Sequence, residues 1–179
     1  MRIISGKYRG KKLLFPKSDS VRPTTGKTKE ALFSILQFEI FGSDVLDLFA
    51  GSGAIGIECL SRGANRAVFA DADAAYVKKN LELTGEKGRE VIEADYDAVL
   101  KRLAGRGDKF DFIFLDPPYA GDAGEKAVKL IARYGLLKKG GKIIFEHSRG
   151  KDLKDLNECA TIYDNRTYGT QALSFLSLD

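Results

Sequence analysis

The sequence predicts an α/β chain on a doubly wound, mostly parallel seven-stranded sheet, with an antiparallel C-terminal hairpin and a basic N-terminal hairpin extension. Three observations predict it. Short apolar runs alternate with stretches of helical periodicity, the pattern of strands covered by helices on both faces. A glycine-rich string follows the first apolar run and opens a helix. Successive apolar runs end on acids, Asp71, Asp95 and Asp116, with Asp47 near the end of the first.

In chain order, residues 1–15 read as a hairpin turning near Lys7-Tyr8-Arg9-Gly10, and residues 16–26 as a loop rich in Pro, Ser and Gly. Leu32, Ile35, Leu36 and Ile40 recur at three- and four-residue steps, predicting a helix over 27–40. Strands are expected at 45–49, 67–70, 91–94, 112–115 and 142–145, with helices at 54–62, 74–83, 98–104 and 125–134 between them. The pair Gly140-Gly141 reads as the turn before the fifth strand, and runs at 160–165 and 172–178 flank a turn at Gly169.

The 179 residues suit one domain, 1–179, with residues 1–26 as its extension. No apolar run is long enough to span a membrane and no cleavable leader is visible, so a cytoplasmic protein is expected. Cys59 and Cys159 have no metal or disulfide spacing, and no metal is expected. Net charge is +4, unevenly placed: residues 1–30 hold nine basic side chains against two acids, whereas the rest of the chain is slightly acidic. A basic arm on a near-neutral body suits a polyanion, because each cation set near a phosphate releases counterions. Arg2, Lys7, Arg9, Lys11, Lys12 and Arg22 are the candidate cations for nucleic acid.

Gly51-Ser52-Gly53-Ala54-Ile55-Gly56 lets a backbone pass close to a ligand, and Asp71, twenty residues on, stands where an acid can accept from ribose hydroxyls. Asp47 beside the loop repels a pyrophosphate and suits a cation, which favours S-adenosylmethionine over NAD. After the fourth strand, Asp116-Pro117-Pro118-Tyr119 removes two backbone donors and leaves acceptors, the Asp116 carboxylate and the Pro117 carbonyl. Two acceptors can grip both hydrogens of a base amino group and free its lone pair, while the Tyr119 ring supports an unstacked base.

These motifs resemble the class I S-adenosylmethionine-dependent methyltransferases in their DPPY variant. With Arg2 to Leu13, Arg22-Pro23-Thr24-Thr25, Lys29 to Phe33, Phe145-Glu146-His147 and Tyr168-Gly169-Thr170, the chain resembles the bacterial 16S rRNA guanine-N2 methyltransferase (RsmD-like) family over nearly its whole length. The resemblance implies that Asp47, Phe49, Ala50, Gly51, Ser52 and Gly53 hold the methionine part of S-adenosylmethionine, that Asp71 takes the ribose, and that Asp95 and Tyr96 take the adenine. It implies that Asp116, Pro117, Pro118 and Tyr119 are catalytic and that Arg22, Thr24 and Thr25 close over the target. It further implies methyl transfer to guanine N2 of 16S rRNA in the small ribosomal subunit or an assembly intermediate, S-adenosylhomocysteine as product, and a monomer. An adenine-N6 nucleic-acid methyltransferase is the alternative within the class. A dinucleotide-binding oxidoreductase is the alternative outside it, and a non-catalytic RNA-binding assembly factor is a third. His147 and Cys59 read as structural, Lys138, Lys139 and Lys142 as a solvated face, and Glu146 as a candidate for positioning the N-terminal loop.

Overall fold

The structure, a computed structural model, describes residues 1–16 and 26–178. Seven strands form one sheet: β1 Asp44–Leu48, β2 Arg66–Asp71, β3 Arg89–Glu93, β4 Phe110–Leu115, β5 Leu137–Ser148, β6 Thr161–Tyr168 and β7 Gln171–Ser177. Their order is β3-β2-β1-β4-β5-β7-β6. The first five run parallel, and β7 joins β5 antiparallel as half of the β6–β7 hairpin. From β1 the chain winds outward through β2 and β3, then returns to place β4 on the other side of β1. The carboxyl ends of β1 and β4 therefore flank the crevice where open sheets of this kind bind ligands.

Among the described residues five α-helices cover the sheet: α1 Gly26–Ile35, α2 Ala54–Ser61, α3 Ala75–Thr84, α4 Tyr96–Gly105 and α5 Ala123–Tyr134. Alternation along the strands sorts the core into two layers. Val45, Phe69, Phe112, Phe114 and Ile144 pack under α1, α2, α3 and the N-terminal arm, through Leu32, Phe33, Ile57, Leu60, Val77, Leu81, Ile3 and Leu13. Leu46, Leu48, Val68, Ile113 and Phe145 pack under α4 and α5, through Val99, Leu100, Leu103, Val128 and Ile131.

Two expectations change. The helix expected over 27–40 ends at Ile35, although Leu36 and Ile40 stay fully buried; the apolar stripe outlasts the helix and continues as a turn. Gly140 and Gly141 lie inside β5, where its register with β4 slips between Phe110 and Phe112. A Cβ on Gly141 would stand 3.0 Å from the Asp111 carbonyl, so the glycine permits close strand approach. The arm is a hairpin with a minimal ladder, one antiparallel bridge at Arg2 and Lys12.

One buried acid fastens the arm. Glu58 of α2 is fully buried. It accepts from the amides of Ile4 at 2.8 Å and Ser5 at 2.9 Å and from Arg62 Nε at 2.9 Å. Lys29 Nζ of α1 lies 3.0 Å from it, as a contact of charges rather than an aligned hydrogen bond. Lys29, counted in the basic arm, is thus an internal cation; burial lowers its pKa against the pull of Glu58. Gly6 crosses α2 so closely that a Cβ there would sit 1.8 Å from the Ser61 carbonyl oxygen. Replacing Glu58 with Leu strands a buried ammonium and two amides, and breaking such a pair costs about 3–5 kcal/mol. Urea unfolding should show a loss of that size for Glu58→Leu, with earlier proteolysis of the arm. Glu39→Gln, at the exposed Lys142 pair, should change stability by under about 0.5 kcal/mol.

Candidate active site

The loop after β1 is held by carboxylates. Asp47 occupies a strand position facing α2, between its register partners Phe69 and Phe114. Its Oδ2 accepts from the Gly56 amide at 2.8 Å. A Cβ at Gly56 would lie 2.4 Å from the Phe69 ring, so only glycine lets the helix come this near the sheet. Asp71, at the end of β2, accepts from the Gly51 amide at 2.7 Å and from the Asp73 amide at 2.9 Å. The acid proposed for the ribose therefore already braces the glycine loop with one oxygen and its own turn with the other. Asp73, not singled out from the sequence, is an exposed acid beside it and accepts from the Ala75 amide at 3.1 Å.

Burial, with smaller pushes from the charges of Asp116 and Asp71, carries the Asp47 carboxyl up to about 8 despite the Gly56 hydrogen bond. The charges of Asp71, at the end of β2, and of Asp116, after β4, thus both reach Asp47 in β1.

Phe49 takes a left-handed backbone conformation, φ 64°, which is strained for a residue with a Cβ. The bend sets its ring against Tyr96, with centroids 5.4 Å apart and planes at 44°. Ala50 and Ser52 are buried beneath the loop, and Gly53 caps α2. Asp95 is exposed at the start of α4, with no side-chain capping bond. Asp95 and Tyr96, the residues expected to face an adenine, thus lie at the β3 end, and Tyr96 meets the glycine loop through the Phe49 ring.

In the turn after β4, Asp116 is half-buried, Pro117 buried and Pro118 exposed. The Tyr119 hydroxyl donates to Glu146 Oε1 at 3.1 Å and accepts from Gln171 Nε2 at 2.7 Å. Burial, then the neighbouring charges of Glu146 and Asp116, raise the phenol well above its ordinary range, against the Gln171 bond. Among the described residues Glu146 is a partner of Tyr119 in the Asp116–Tyr119 turn. His147 is buried and structural: Nδ1 faces the Ser148 carbonyl at 2.9 Å and Nε2 the Ser174 hydroxyl at 2.8 Å. The carbonyl can only accept, so Nδ1 carries the proton, and burial lowers the pKa of the ring.

The arm reaches this site through Asn80 of α3. Asn80 exchanges hydrogen bonds with the Leu14 backbone at 2.8 and 2.9 Å, and donates to the Ser52 carbonyl at 2.9 Å. Arg2, Lys7, Arg9, Lys11 and Lys12 are exposed along the arm. Lys7 pairs with Glu86 at 2.5 Å, and Tyr8 donates to the same carboxylate at 2.9 Å. Among the described residues Arg9 and Lys12 make no ion pair. Arg22, Thr24 and Thr25 lie outside the described residues. Sequence reading missed Asn80, Glu58 and Gln171. The first two leave a signal, a polar residue within an apolar helical stripe; Gln171 leaves none.

Among the described residues no cluster of three or more His, Cys, Asp or Glu could hold a metal, and no helix is long and apolar enough to cross a membrane. The family model described as conserved hypothetical protein 95 matches residues 1–177. The putative rRNA methyltransferase YlbH of Bacillus subtilis is 38% identical over 94% of both chains. The ribosomal RNA small subunit methyltransferase D of Haemophilus influenzae is 38% identical, over 86% of this chain and 81% of its own. Among solved structures, the putative methyltransferase yhhF from Escherichia coli is 30% identical with a TM-score of 0.84, covering 100% of this chain and 98% of its own. Fold, site and full-length kinship agree, and the protein belongs to the conserved hypothetical protein 95 family, the family of the small-subunit rRNA methyltransferases D.

Proposed function

We propose that this protein transfers a methyl group from S-adenosylmethionine to the exocyclic N2 amine of a guanine in 16S rRNA, acting as a cytoplasmic monomer on the small ribosomal subunit or an assembly intermediate. The observation that carries the reading is the placement of Asp116–Tyr119 beside a glycine loop walled by acids. Relatives named for small-subunit rRNA methylation, similar over most of their length, support the substrate.

The donor set fits the cofactor. The Gly51 and Gly56 amides, the kind of helix-start donors that would cradle a pyrophosphate, are occupied by the carboxylates of Asp71 and Asp47. A pyrophosphate would meet carboxylates there, whereas a sulfonium and an ammonium would meet favourable charge. This counts against the dinucleotide oxidoreductase. Asp47 and Phe49 to Gly53 would hold the methionine end, Asp71 the ribose, and Asp95 with Tyr96 the adenine. The cofactor, when bound, supplies an electrophilic methyl on a positively charged sulfur.

The chain's own part is to grip and orient the nucleophile. Asp116 and the Pro117 carbonyl accept hydrogen bonds from the two N–H groups, so the nitrogen lone pair leaves conjugation with the ring, and the methylated nitrogen then releases one proton to water. Tyr119 supports the base face. Arg9, Lys11 and Lys12 on the arm, with Arg2, Lys7, Arg22, Thr24 and Thr25, dock the RNA. Because Asn80 ties Leu14 to Ser52, the arm is held at a fixed distance from the cofactor loop.

Wild-type protein incubated with labelled cofactor and unmodified small subunits should yield N2-methylguanosine in nuclease digests read by mass spectrometry; N6-methyladenosine instead would move the reading to the adenine alternative. Asp116→Ala should lower turnover by at least about 10²-fold, with S-adenosylhomocysteine affinity held within about threefold. Combining Arg9→Ala, Lys11→Ala and Lys12→Ala should weaken RNA binding and reduce its salt slope by about 2–3, near 0.9 per lost phosphate contact.

The acid wall also sets a pH dependence. Asp47 has an ordinary value of 3.8 and a folded value near 8. Its proton is held more tightly in the folded state, so its contribution to stability is complete below about pH 4 and lost as pH rises towards 8. Thermal unfolding of cofactor-free protein should show stability falling across that window, by up to about 1.4 kcal/mol per pH unit. Asp47→Asn should flatten the slope.

A further inference from the structure

Tyr119 is 38% exposed, yet its hydroxyl is engaged on both sides by buried groups. Its single hydrogen goes to Glu146 Oε1, and it accepts from Gln171 Nε2. The same Gln171 nitrogen donates to Glu146 Oε1 at 2.8 Å. Gln171 Oε1 accepts from the Thr28 hydroxyl of α1 at 3.1 Å. A primary amide offers two N–H donors, and here both are spent on oxygens of the turn and of β5. The network fixes the orientation of the amide, since reversing it would set its carbonyl oxygen against a carboxylate. Gln171 and Glu146 are nearly inaccessible and Thr28 wholly so. Such a network is stabilising only when its members are satisfied, and when satisfied it is stiff.

The sheet explains why these side chains meet. Glu146 is registered with Leu173 and Ser148 with Gln171. Glu146 and Gln171 are therefore diagonal neighbours on one face, within reach of long side chains. That face carries Ile144 and Leu173 and packs under α1. Gln171 also begins β7, and its backbone is registered with Ser148 on one side and Tyr168 on the other. It is the most firmly based member of the set.

We infer that Gln171 is a positioning residue for methyl transfer, holding the Tyr119 hydroxyl against Glu146 so that the ring, and not the hydroxyl, meets the target base. This rests on the reading of Asp116–Tyr119 as the turn that grips the base. With its hydrogen committed to Glu146, Tyr119 has none to give a base, so it recognises by stacking alone. The rigid hairpin end fixes the ring, and the ring fixes the base plane in which Asp116 must find its hydrogens.

A double-mutant cycle on the full chain with unmodified small subunits tests this. Gln171→Met keeps length and removes both donors. It should lower kcat/KM by about 10–10²-fold, the scale of a 1 Å misplacement, with S-adenosylhomocysteine affinity unchanged. Tyr119→Phe keeps the stacking face and loses the same hydrogen bond, so it should fall into the same range. Together they should be less than about twofold worse than either alone, because both remove one interaction. Multiplying effects, or wild-type kcat/KM in Gln171→Met, would overturn the inference. Should Gln171→Met fail to fold, the part-exposed Tyr119→Phe decides alone, and its retaining wild-type kcat/KM overturns the inference. If the wild type itself methylates no RNA, the parent reading fails first and takes this inference with it. If it methylates and the variants equal it, only the positioning role is lost.

Discussion

The glycine loop stands because two carboxylates grip its amides. Asp71 holds Gly51 from the end of β2, and Asp47 holds Gly56 from beneath α2. Between these points the chain must leave β1, reverse, and enter a helix within a few residues. The strained Phe49 backbone is tolerated because both ends of the turn are pinned. The choice of acids rather than neutral acceptors also sets the electrostatic sign of the crevice. An anion meets occupied donors there, and a cation meets acids able to carry negative charge.

From that loop, tension passes outward in two directions through buried polar side chains. Asn80 joins the loop to the end of the arm, and Glu58 joins the start of the arm to α2 and Lys29. Each is a polar group inside an otherwise apolar layer, where an unsatisfied partner would be costly. The arm is therefore an integral part of the α1–α3 layer rather than a loose tether. Its cations divide accordingly. Lys29 and, in part, Lys7 hold the protein together, while Arg9 and Lys12 face outward.

Much of the fold was legible because the period of the apolar residues changed cleanly between strand and helix. The β1–α2 and β4–α5 units were readable to within a few residues, since glycine and proline punctuate them. Helix α1 was over-extended because its buried stripe runs on through Leu36 and Ile40 in non-helical form, which periodicity cannot distinguish. Strand β5 was cut short because paired glycines usually mark a turn, whereas these allow a register slip against β4. Around the site, Asp47, Asp71, Asp95 and Asp116 were visible as acids near strand ends. Their tasks were not, because which amide a carboxylate grips depends on how helix and strand approach in three dimensions. Gln171 was illegible for the same reason: its partners lie 52 and 25 positions away, and nothing near it in sequence marks them.

The two halves of the crevice use burial to opposite ends. On the cofactor side, desolvation acts on Asp47 and holds a carboxyl near neutrality, so the wall can gain negative charge when a cation approaches. On the base side, burial of the Glu146–Gln171–Thr28 set takes the Tyr119 hydroxyl out of play and pushes its ionisation out of reach. On the proposed function, the first arrangement would make charge available to the positive sulfur, and the second would remove a competing hydrogen-bond donor where the amine offers its own N–H groups to Asp116 and a carbonyl. Both follow from the same topology. The switch between β1 and β4 opens a crevice whose floor is a packed sheet, and the elements packed on that sheet decide which polar atoms water can reach.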